Sequence, residues 1–376
     1  MEYLVGTPNI ANKELFQDFL NDILTSGKLT NNGKYNSKLE KAVGEFYKAE
    51  AITVCNATAG LEILLSTLPE KSYVVTPAFT FIATTSAILR AGLIPLFVDI
   101  TEDFKMNLDN LERILKDFSN TGFGVSAILN VNLYGGLDVS TRINKLALQY
   151  GVKLFYDSAH SLGTFPETFG DAEVFSLHAT KLVNGFEGGL IVTKNKELAT
   201  RVRQSRNFNY IGPCSDPEGK FVQYDMYKKL YGEYSFGTNA KLSEVHAAMA
   251  ISNFYKLDYL KAHNKNIHTL YYNLINTKSG QYIVQNPGEI SNYSYVVCRH
   301  KNRDSIIESL KDYGIQARKY FYHLTNEQFG YKPSIPVSEI LRQEVFCLPT
   351  GLAIDEKKAE YISNSLLSCL DKEGIS

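Results

Sequence analysis

Short apolar runs recur through the first half of the chain at a spacing typical of strands. They are rich in β-branched residues and are bounded by Gly, Pro, Asp or Asn, and they lie at residues 53–55, 73–76, 94–98, 126–131, 152–156, 173–176 and 190–193. Most of these runs are too short to be helices. They therefore predict strands that are buried on both faces of a sheet.

Helical patterns lie between several of these runs. Residues 61–68 carry leucines with i, i+3, i+4, i+7 spacing, and residues 39–46 show the same spacing just before the first run. Residues 84–91 predict another helix, which Gly92 would end. This alternation predicts an α/β fold with a seven-stranded, mostly parallel sheet sandwiched by helices. Ligands of such sheets bind beyond the carboxyl ends of the strands.

The pattern changes beyond the last of these runs. Residues 207–236 are polar and rich in Tyr and Lys, which predicts a long loop, and a strongly helical segment follows at 242–275. Shorter apolar segments near the end predict a small α+β domain. We therefore predict a large domain at residues 1–240, including an N-terminal segment at 1–25, and a small C-terminal domain at 241–376.

Composition and charge argue against several classes of protein. The net charge is -1, which gives no electrostatic basis for binding nucleic acid or an anionic membrane. No apolar run approaches the ~20 residues that span a bilayer, and the N-terminus does not resemble a signal peptide. The 5 cysteines lack C-x-x-C spacing, which is typical of reduced thiols. These features predict a cytoplasmic protein.

Polar residues that follow the predicted strands are the first candidates for chemistry. Residues 56–60 are small and open a helix, where free N–H groups bind phosphate, and Thr58 adds a hydroxyl. A plain strand-to-helix turn is the alternative. Asp157 follows the run at 152–156, where it could keep a pyridine nitrogen protonated or cap a turn.

Lys181 follows the next predicted strand and is the candidate nucleophile. A lysine whose pKa is lowered by burial forms an imine with an aldehyde cofactor, although most lysines are solvated surface charges. Ser176 could bind phosphate while Lys181 faces the ring. Phe81 could stack on a flat cofactor or belong to the core. His160 and His178 have no third ligand at a suitable spacing, so no metal site is predicted.

Taken in order, these segments resemble the DegT/DnrJ/EryC1/StrS family of sugar aminotransferases, within the aspartate-aminotransferase superfamily (fold type I). The resemblance covers nearly the whole chain and rests on residues 26–33, 56–59, 77–84, 95–99, 133–136, 157–160, 176–189, 238–244 and 348–351. It implies the fold of the pyridoxal-phosphate-dependent transferases, with pyridoxal 5′-phosphate as cofactor. It also implies a homodimer with shared active sites.

The resemblance implies two catalytic residues. Lys181 would hold the cofactor as a Schiff base, and Asp157 would pair with the pyridinium nitrogen. Phe81 occupies the place of the aromatic residue that stacks on the ring.

The resemblance also implies residues around the phosphate and the ring hydroxyl. Thr58, Ala59 and Ser176 would hold the phosphate, and Asn239 would reach it from the neighbouring subunit. His160 stands where the family often has Gln, near the 3-hydroxyl of the cofactor. Histidine can also donate a hydrogen bond there, depending on its tautomer.

The expected reaction is the transfer of an amino group from L-glutamate to a nucleotide-linked keto-deoxy sugar, for surface polysaccharide or glycoside biosynthesis. Residues 239–241 read Asn-Ala-Lys rather than the commoner Asn-Tyr-Arg. Together with His160, this resembles a subgroup that acts on dTDP-4-keto-6-deoxyhexoses, so we expect dTDP-4-keto-6-deoxyglucose and amination at C4. The nucleotide (dTDP, UDP or GDP) and C3 instead of C4 stay open. Arg318 or His323 could contact the nucleotide, or be exposed loop charges.

Two other functions are weighed against this one. Dehydratases and deoxygenases of the family replace the Schiff-base lysine by histidine, so Lys181 argues against them. A sensor that binds the cofactor without turnover usually carries a DNA-binding extension, and none is evident in the sequence.

Overall fold

The computed structural model describes residues 2–118, 124–138, 140–209, 237–288, 290–329 and 333–372. Residues 210–236, most of the predicted long loop, lie outside these ranges. The strands are β1 (Tyr3–Leu4), β2 (Glu50–Val54), β3 (Tyr73–Pro77), β4 (Ile94–Val98), β5 (Val125–Val131), β6 (Lys153–Asp157), β7 (Ala172–Ser176), β8 (Gly189–Thr193), β9 (Val296–Arg299), β10 (Ile315–Gln316) and β11 (Val345–Leu348).

Helices lie between many of these strands and follow the last one. They are α1 (Lys13–Ser26), α2 (Lys34–Tyr47), α3 (Ala57–Leu65), α4 (Ile82–Arg90), α5 (Leu108–Phe118), α6 (Thr141–Tyr150), α7 (Lys196–Ser205), α8 (Glu244–Phe254), α9 (Leu257–Tyr271), α10 (Thr277–Ser279), α11 (Arg303–Lys311), α12 (Pro336–Glu344) and α13 (Glu356–Lys372). A π-helical turn (Tyr272–Asn276) and a 3₁₀ helix (Thr325–Phe329) complete the described secondary structure.

The predicted sheet is confirmed. Seven strands pair in the order β2-β8-β7-β6-β5-β3-β4, and β8 runs in the direction opposite to the other six. Strand β2, the first of this sheet along the chain, begins at Glu50 and ends at Val54, whereas the predicted run was 53–55. Glu50, which pairs with Thr193, is polar and gives no apolar signal, whereas Ala51 and Ile52 are buried apolar residues that the predicted run should have included.

Helices cover both faces of this sheet, as predicted. Along β7 the side chains alternate between the faces, so Val174 packs with residues of α3, α4 and α7 whereas Phe175 packs with residues of α1, α2 and α8. Because both faces are buried, the strands carry apolar residues at successive positions and read as continuous runs.

The C-terminal part has its own core. Strands β9 and β11 pair antiparallel, and α9, α11 and α13 pack on them around Val296, Leu310, Phe346 and Leu366. Helix α8 packs with α1 and α2 on the large sheet. The predicted division at residue 240 stays a prediction. Within the described ranges, no helix combines the length and the apolar character that crossing a membrane requires.

A buried carboxylate ties the end of the large sheet to the C-terminal part. Asp99 follows β4, and its two oxygens accept hydrogen bonds from the backbone N–H groups of Val337 and Ser338, both at 2.9 Å. The Ser338 hydroxyl adds a third hydrogen bond at 2.6 Å. Asp99 therefore caps the start of α12, where a negative charge also interacts favourably with the helix dipole.

A second long-range cap holds the start of α2. The carboxylate of Glu244, buried at the beginning of α8, accepts hydrogen bonds from the N–H groups of Tyr35 at 2.7 Å and Asn36 at 3.1 Å. Gly33 precedes α2, and a Cβ at this position would lie 2.6 Å from the Glu244 carboxylate. The glycine is thus required by this close approach.

The substitution Gly33→Ala should destabilise the protein by about 2 kcal/mol, since it would push the buried carboxylate away from its donors. Chemical denaturation measures the free energy of unfolding. Gly124→Ala is the matched control, because no atom lies within 4 Å of the Cβ it would add. Equal stabilities of the two variants would contradict the proposed role of the cap.

Candidate active site

One corner of the site forms where β7, β8 and the start of α3 meet. Ser176, the last residue of β7, pairs with Gly189, the first residue of β8. The backbone of Gly189 lies so close to α3 that an added Cβ would stand 2.7 Å from the Ala57 nitrogen. The missing side chain at Gly189 therefore brings Ser176 next to the start of a helix.

This corner offers hydrogen-bond donors to an anion. The N–H groups of Ala57 and Thr58 are in the first turn of α3, where a helix provides no partner. The Ala59 N–H differs, because it donates to the capping side chain of Asn56 at 2.8 Å. The Ser176 hydroxyl accepts a hydrogen bond from the His178 N–H at 3.2 Å and keeps its own proton for donation. Thr58 and Ser176 can thus donate to a phosphate, whereas the N–H of Ala59 would be shared between the phosphate and the Asn56 side chain.

Asp157 is the last residue of β6, an interior strand of the sheet. Its carboxylate accepts hydrogen bonds from the Thr84 hydroxyl at 2.7 Å and from the Ala159 N–H at 3.2 Å, and only 5% of the residue is exposed. Burial raises the pKa of Asp157, although these hydrogen bonds and the charge of Lys181 act in the opposite direction. A protonated ring nitrogen would supply the positive partner that this carboxylate is short of.

Lys181 lies in the turn that follows β7, where its backbone N–H donates to His178 at 2.9 Å. Its Nζ donates to the hydroxyl of Tyr295 at 3.3 Å. Burial lowers the pKa of Lys181 to about 8, the charge of Asp157 opposes this shift, and the charge of Arg318 adds to it. The amine can therefore lose and regain a proton near neutral pH.

His160 is held as a neutral ring with a defined orientation. Its Nδ1 accepts a hydrogen bond from the backbone N–H of Tyr134 at 3.2 Å. Burial lowers the pKa of His160 well below its usual value, and the charge of Lys181 adds to this effect. Since Nδ1 is an acceptor, the hydrogen bonds assign the proton to Nε2. Nε2 is thus a donor, as the expected contact with the cofactor hydroxyl requires.

The other two predicted residues are both exposed. Phe81 directly precedes α4 and is 55% exposed, so it is not a core aromatic, and its ring lies 6.0 Å from that of Phe321. Asn239 forms an isolated bridge with Asn207, and its side chain accepts a hydrogen bond from Lys241. Within the described part of this chain, no hydrogen bond joins Asn239 to Lys181, Asp157 or Ser176. The roles predicted for the site residues stay predictions.

An aromatic wall beside Lys181, formed by Tyr134, Tyr295 and Tyr320, was not predicted from the sequence. The ring of Tyr295 lies 4.5 Å from His160 and 6.0 Å from Tyr134, and Tyr320 packs edge-on against it at 5.6 Å. With 24 tyrosines in the chain, residue type alone could not single these out. Thr84 was also missed, although it lies within a segment that the family resemblance had identified.

A cavity of about 280 Å³ adjoins this wall. It is bordered by Tyr134 and Tyr295 together with the polar side chains of Asp103, Lys105 and His268. Lys181 and Asp157 do not line it, although Tyr295, which accepts a hydrogen bond from Lys181, does. Among the described residues, no cluster of three or more His, Cys, Asp or Glu side chains could hold a metal ion.

The donor set fits pyridoxal phosphate. A buried carboxylate that lacks a positive partner, an amine with a lowered pKa and a helix start with free donors match the ring nitrogen, the aldehyde and the phosphate of this cofactor.

Similar proteins match nearly the whole chain. The sequence profile of the DegT/DnrJ/EryC1/StrS aminotransferase family matches residues 10–367. The dTDP-4-amino-4,6-dideoxy-D-glucose transaminase of Shigella dysenteriae is 30% identical over an alignment of 379 residues, gaps included, that covers 96% of this chain and 97% of the relative. The Escherichia coli enzyme of the same name is 29% identical over 390 residues, with the same coverage. The crystal structure of DesI with its TDP-sugar product has a TM-score of 0.86 at 31% identity and covers 99% of this chain and 94% of DesI. These similarities confirm the expected fold.

In the cofactor-free protein, Asp157→Asn should be more stable than the wild type, and this difference should grow as the pH rises. Folding raises the pKa of Asp157, so the stability that its protonated form contributes is full below the unfolded value of roughly 3.9 and is lost as pH rises through the folded pKa. Asparagine suffers no such loss. The variant should gain about 1.4 kcal/mol over the wild type for each unit by which the pKa is raised. Urea denaturation over a pH series measures this difference.

Asp103→Asn should show the opposite sign. Burial acts to raise the pKa of Asp103, but hydrogen bonds from Lys105 and Thr101 lower it overall, so losing its charge removes stability above the unfolded pKa.

With pyridoxal phosphate bound, Asp157→Asn should lose its gain in stability over the wild type and bind the cofactor more weakly. A stability difference between Asp157→Asn and wild type that does not change with pH would rule out the unfavourable charge at this position.

Proposed function

Since this chain belongs to the DegT/DnrJ/EryC1/StrS aminotransferase family, we propose that it transfers the amino group of L-glutamate to C4 of dTDP-4-keto-6-deoxyglucose. It is a pyridoxal-phosphate-dependent nucleotide-sugar transaminase. The observation that carries this proposal is the partly buried amine of Lys181, whose pKa is about 8 and on which the charge of Asp157 acts. The names of the two transaminase relatives support dTDP and C4, and the sugar bound to DesI supports a thymidine nucleotide.

Pyridoxal phosphate supplies an aldehyde that exchanges amino groups and a ring that withdraws electrons while its nitrogen is protonated. The N–H groups at the start of α3, with the hydroxyls of Thr58 and Ser176, would hold the phosphate. The exposed ring of Phe81 would stack on one face of the cofactor. Nε2 of His160 would donate to the ring hydroxyl, because Nδ1 already accepts from Tyr134.

The two catalytic residues handle different protons. The carboxylate of Asp157 would keep the proton on the ring nitrogen, because the positive charge relieves its own desolvation. The Nζ of Lys181, once free, would take a proton from the donor's α-carbon and later return one to C4 of the sugar. A pKa of about 8 leaves a usable fraction of the amine neutral at physiological pH. The product is an amino sugar nucleotide, and the kinetics should be ping-pong.

The proposal includes a homodimer. The side chains of Asn239 and Phe208 are exposed, so a neighbouring subunit could reach them. This supports a role for Asn239 at the phosphate bound by that subunit. The predicted cytoplasmic location stays a prediction.

Lys181→Ala should abolish transamination while leaving the fold intact, because no other described side chain would supply the amine. Borohydride reduction of the wild-type protein with bound pyridoxal phosphate should label the peptide that contains Lys181. The control Lys41→Ala changes an exposed lysine of α2 and should behave like wild type. Undiminished turnover by Lys181→Ala would refute the assignment.

A panel of 3-keto and 4-keto sugars linked to dTDP, UDP or GDP, offered with several amino donors, tests the substrate. The proposal expects the highest kcat/KM for the dTDP-linked 4-keto sugar with L-glutamate, and a product in which an amino group at C4 replaces the carbonyl oxygen. Loss of oxygen without gain of nitrogen would indicate a dehydratase. Preference for another nucleotide or for C3 would overturn the specific substrate and leave the transaminase assignment in place.

Arg318 is the residue that we propose contacts the substrate nucleotide. Its backbone is fixed by two hydrogen bonds with Cys347, and its guanidinium lies over the ring of Tyr320 at 5.2 Å. Among the described residues no carboxylate pairs with it, and its charge acts on Lys181. An exposed guanidinium beside the site suits the diphosphate of a sugar nucleotide. His323 differs, because it lies 3.8 Å from Glu327.

Arg318→Gln should raise the KM for the keto sugar nucleotide by about tenfold or more, as expected for loss of a hydrogen bond to a charged group. Half-reactions measured separately identify the affected substrate. The KM for L-glutamate should be unchanged, although losing the positive charge that acts on Lys181 should move the pH dependence of this step to higher pH. Arg113→Gln, on the exposed face of α5, serves as control. An effect confined to the glutamate step would mean that Arg318 binds the donor carboxylate instead.

A further inference from the structure

Tyr295 is the one described side chain that hydrogen-bonds to the amine of Lys181. The distance from Nζ to the tyrosine hydroxyl is 3.3 Å, and Nζ lies 5.9 Å from the centre of the ring. The two residues are 114 positions apart in the sequence. Tyr295 immediately precedes β9, so the contact joins the large sheet to the C-terminal part of the chain.

The surroundings of Tyr295 restrict its ring to one orientation. The residue is only 5% exposed, and its ring is packed against His160 and Tyr134 and edge-on against Tyr320. Burial raises the pKa of its hydroxyl well above the usual value, so the group stays a neutral phenol throughout the physiological range. It therefore presents a fixed hydroxyl that can accept from an ammonium and donate to a neutral amine.

We propose that Tyr295 is a positioning residue, which holds the Nζ of Lys181 within the site whenever the amine is not bonded to the cofactor. The inference rests on the proposed function, in which Lys181 is released during each half-reaction and must move protons. A free lysine side chain has many rotamers, and only some of them place Nζ near the reacting carbon. A fixed hydroxyl next to Nζ reduces this freedom and favours the amine's position at the ring.

Charged groups other than Tyr295 also affect the pKa of Lys181. Asp157 favours the ammonium, whereas Arg318 disfavours it. His160 is neutral, as argued above, and Tyr320 is a phenol whose pKa is raised mainly by burial. The hydroxyl of Tyr295 adds a hydrogen-bond acceptor for the ammonium. Removing it should therefore move the titration of Lys181 to lower pH while these other groups stay in place.

The test compares Tyr295→Phe with Tyr271→Phe. Both changes remove a hydroxyl from a buried ring, but the Tyr271 hydroxyl bonds to the Pro349 carbonyl at 2.9 Å and not to Lys181. In the cofactor-free proteins, the rate at which acetic anhydride labels Lys181 is followed from pH 6 to 10 by peptide mass spectrometry. In the loaded enzymes, pre-steady-state absorbance gives the rate of the half-reaction with L-glutamate as a function of pH.

For Tyr295→Phe we expect the labelling midpoint of Lys181 to shift to lower pH, and the half-reaction to slow about tenfold with little change in KM. Tyr271→Phe should match wild type in both measurements. The inference is overturned if the midpoint in Tyr295→Phe is that of wild type, or if both variants are slowed equally. Labelling needs no sugar substrate, so it decides the role of Tyr295 even if the proposed substrate proves wrong. Failure of the proposed function would appear separately, as transamination by Lys181→Ala.

Discussion

A carboxylate buried without a full positive partner is the constraint on which the site depends. Asp157 lies at the end of an interior strand because β6 is flanked by β5 and β7, and its donors among the described residues are the Thr84 hydroxyl of α4 and the Ala159 N–H. These donors stabilise the charge in part, while burial continues to oppose it. The protein therefore folds around an unfavourable charge. A cationic ring bound beside it recovers that free energy, which couples cofactor binding directly to stability.

Much of this arrangement follows from local sequence. The strands were predictable because both faces of the sheet are covered, so each strand is a continuous apolar run. Asp157, Ser176 and Lys181 could be proposed as site residues because they end or follow such runs, and parallel strands bring their carboxyl ends to one edge. The strands and the residues at their carboxyl ends can thus be predicted from the local sequence, without knowledge of any long-range contact.

What could not be predicted depends on contacts between distant segments. The hydroxyl that meets Lys181 comes from Tyr295, and no periodicity marks one tyrosine among 24. The Ala59 N–H was expected at a phosphate, but the neighbouring Asn56 side chain already accepts from it. A capping side chain and a ligand compete for the same few N–H groups at a helix start. Which of them binds depends on the rotamer of the capping residue, which the sequence does not specify.

The cap that Asp99 provides to α12 also bears on how the chain can be recombined. The acceptor precedes the last third of the chain and its donors, Val337 and Ser338, lie within it. A chimaera that takes its C-terminal segment from a relative would keep this junction only if the graft presents two free N–H groups to the same carboxylate. Otherwise Asp99 would be left buried at the seam with no donors from the graft, and domain shuffling would fail there before substrate choice could be assessed.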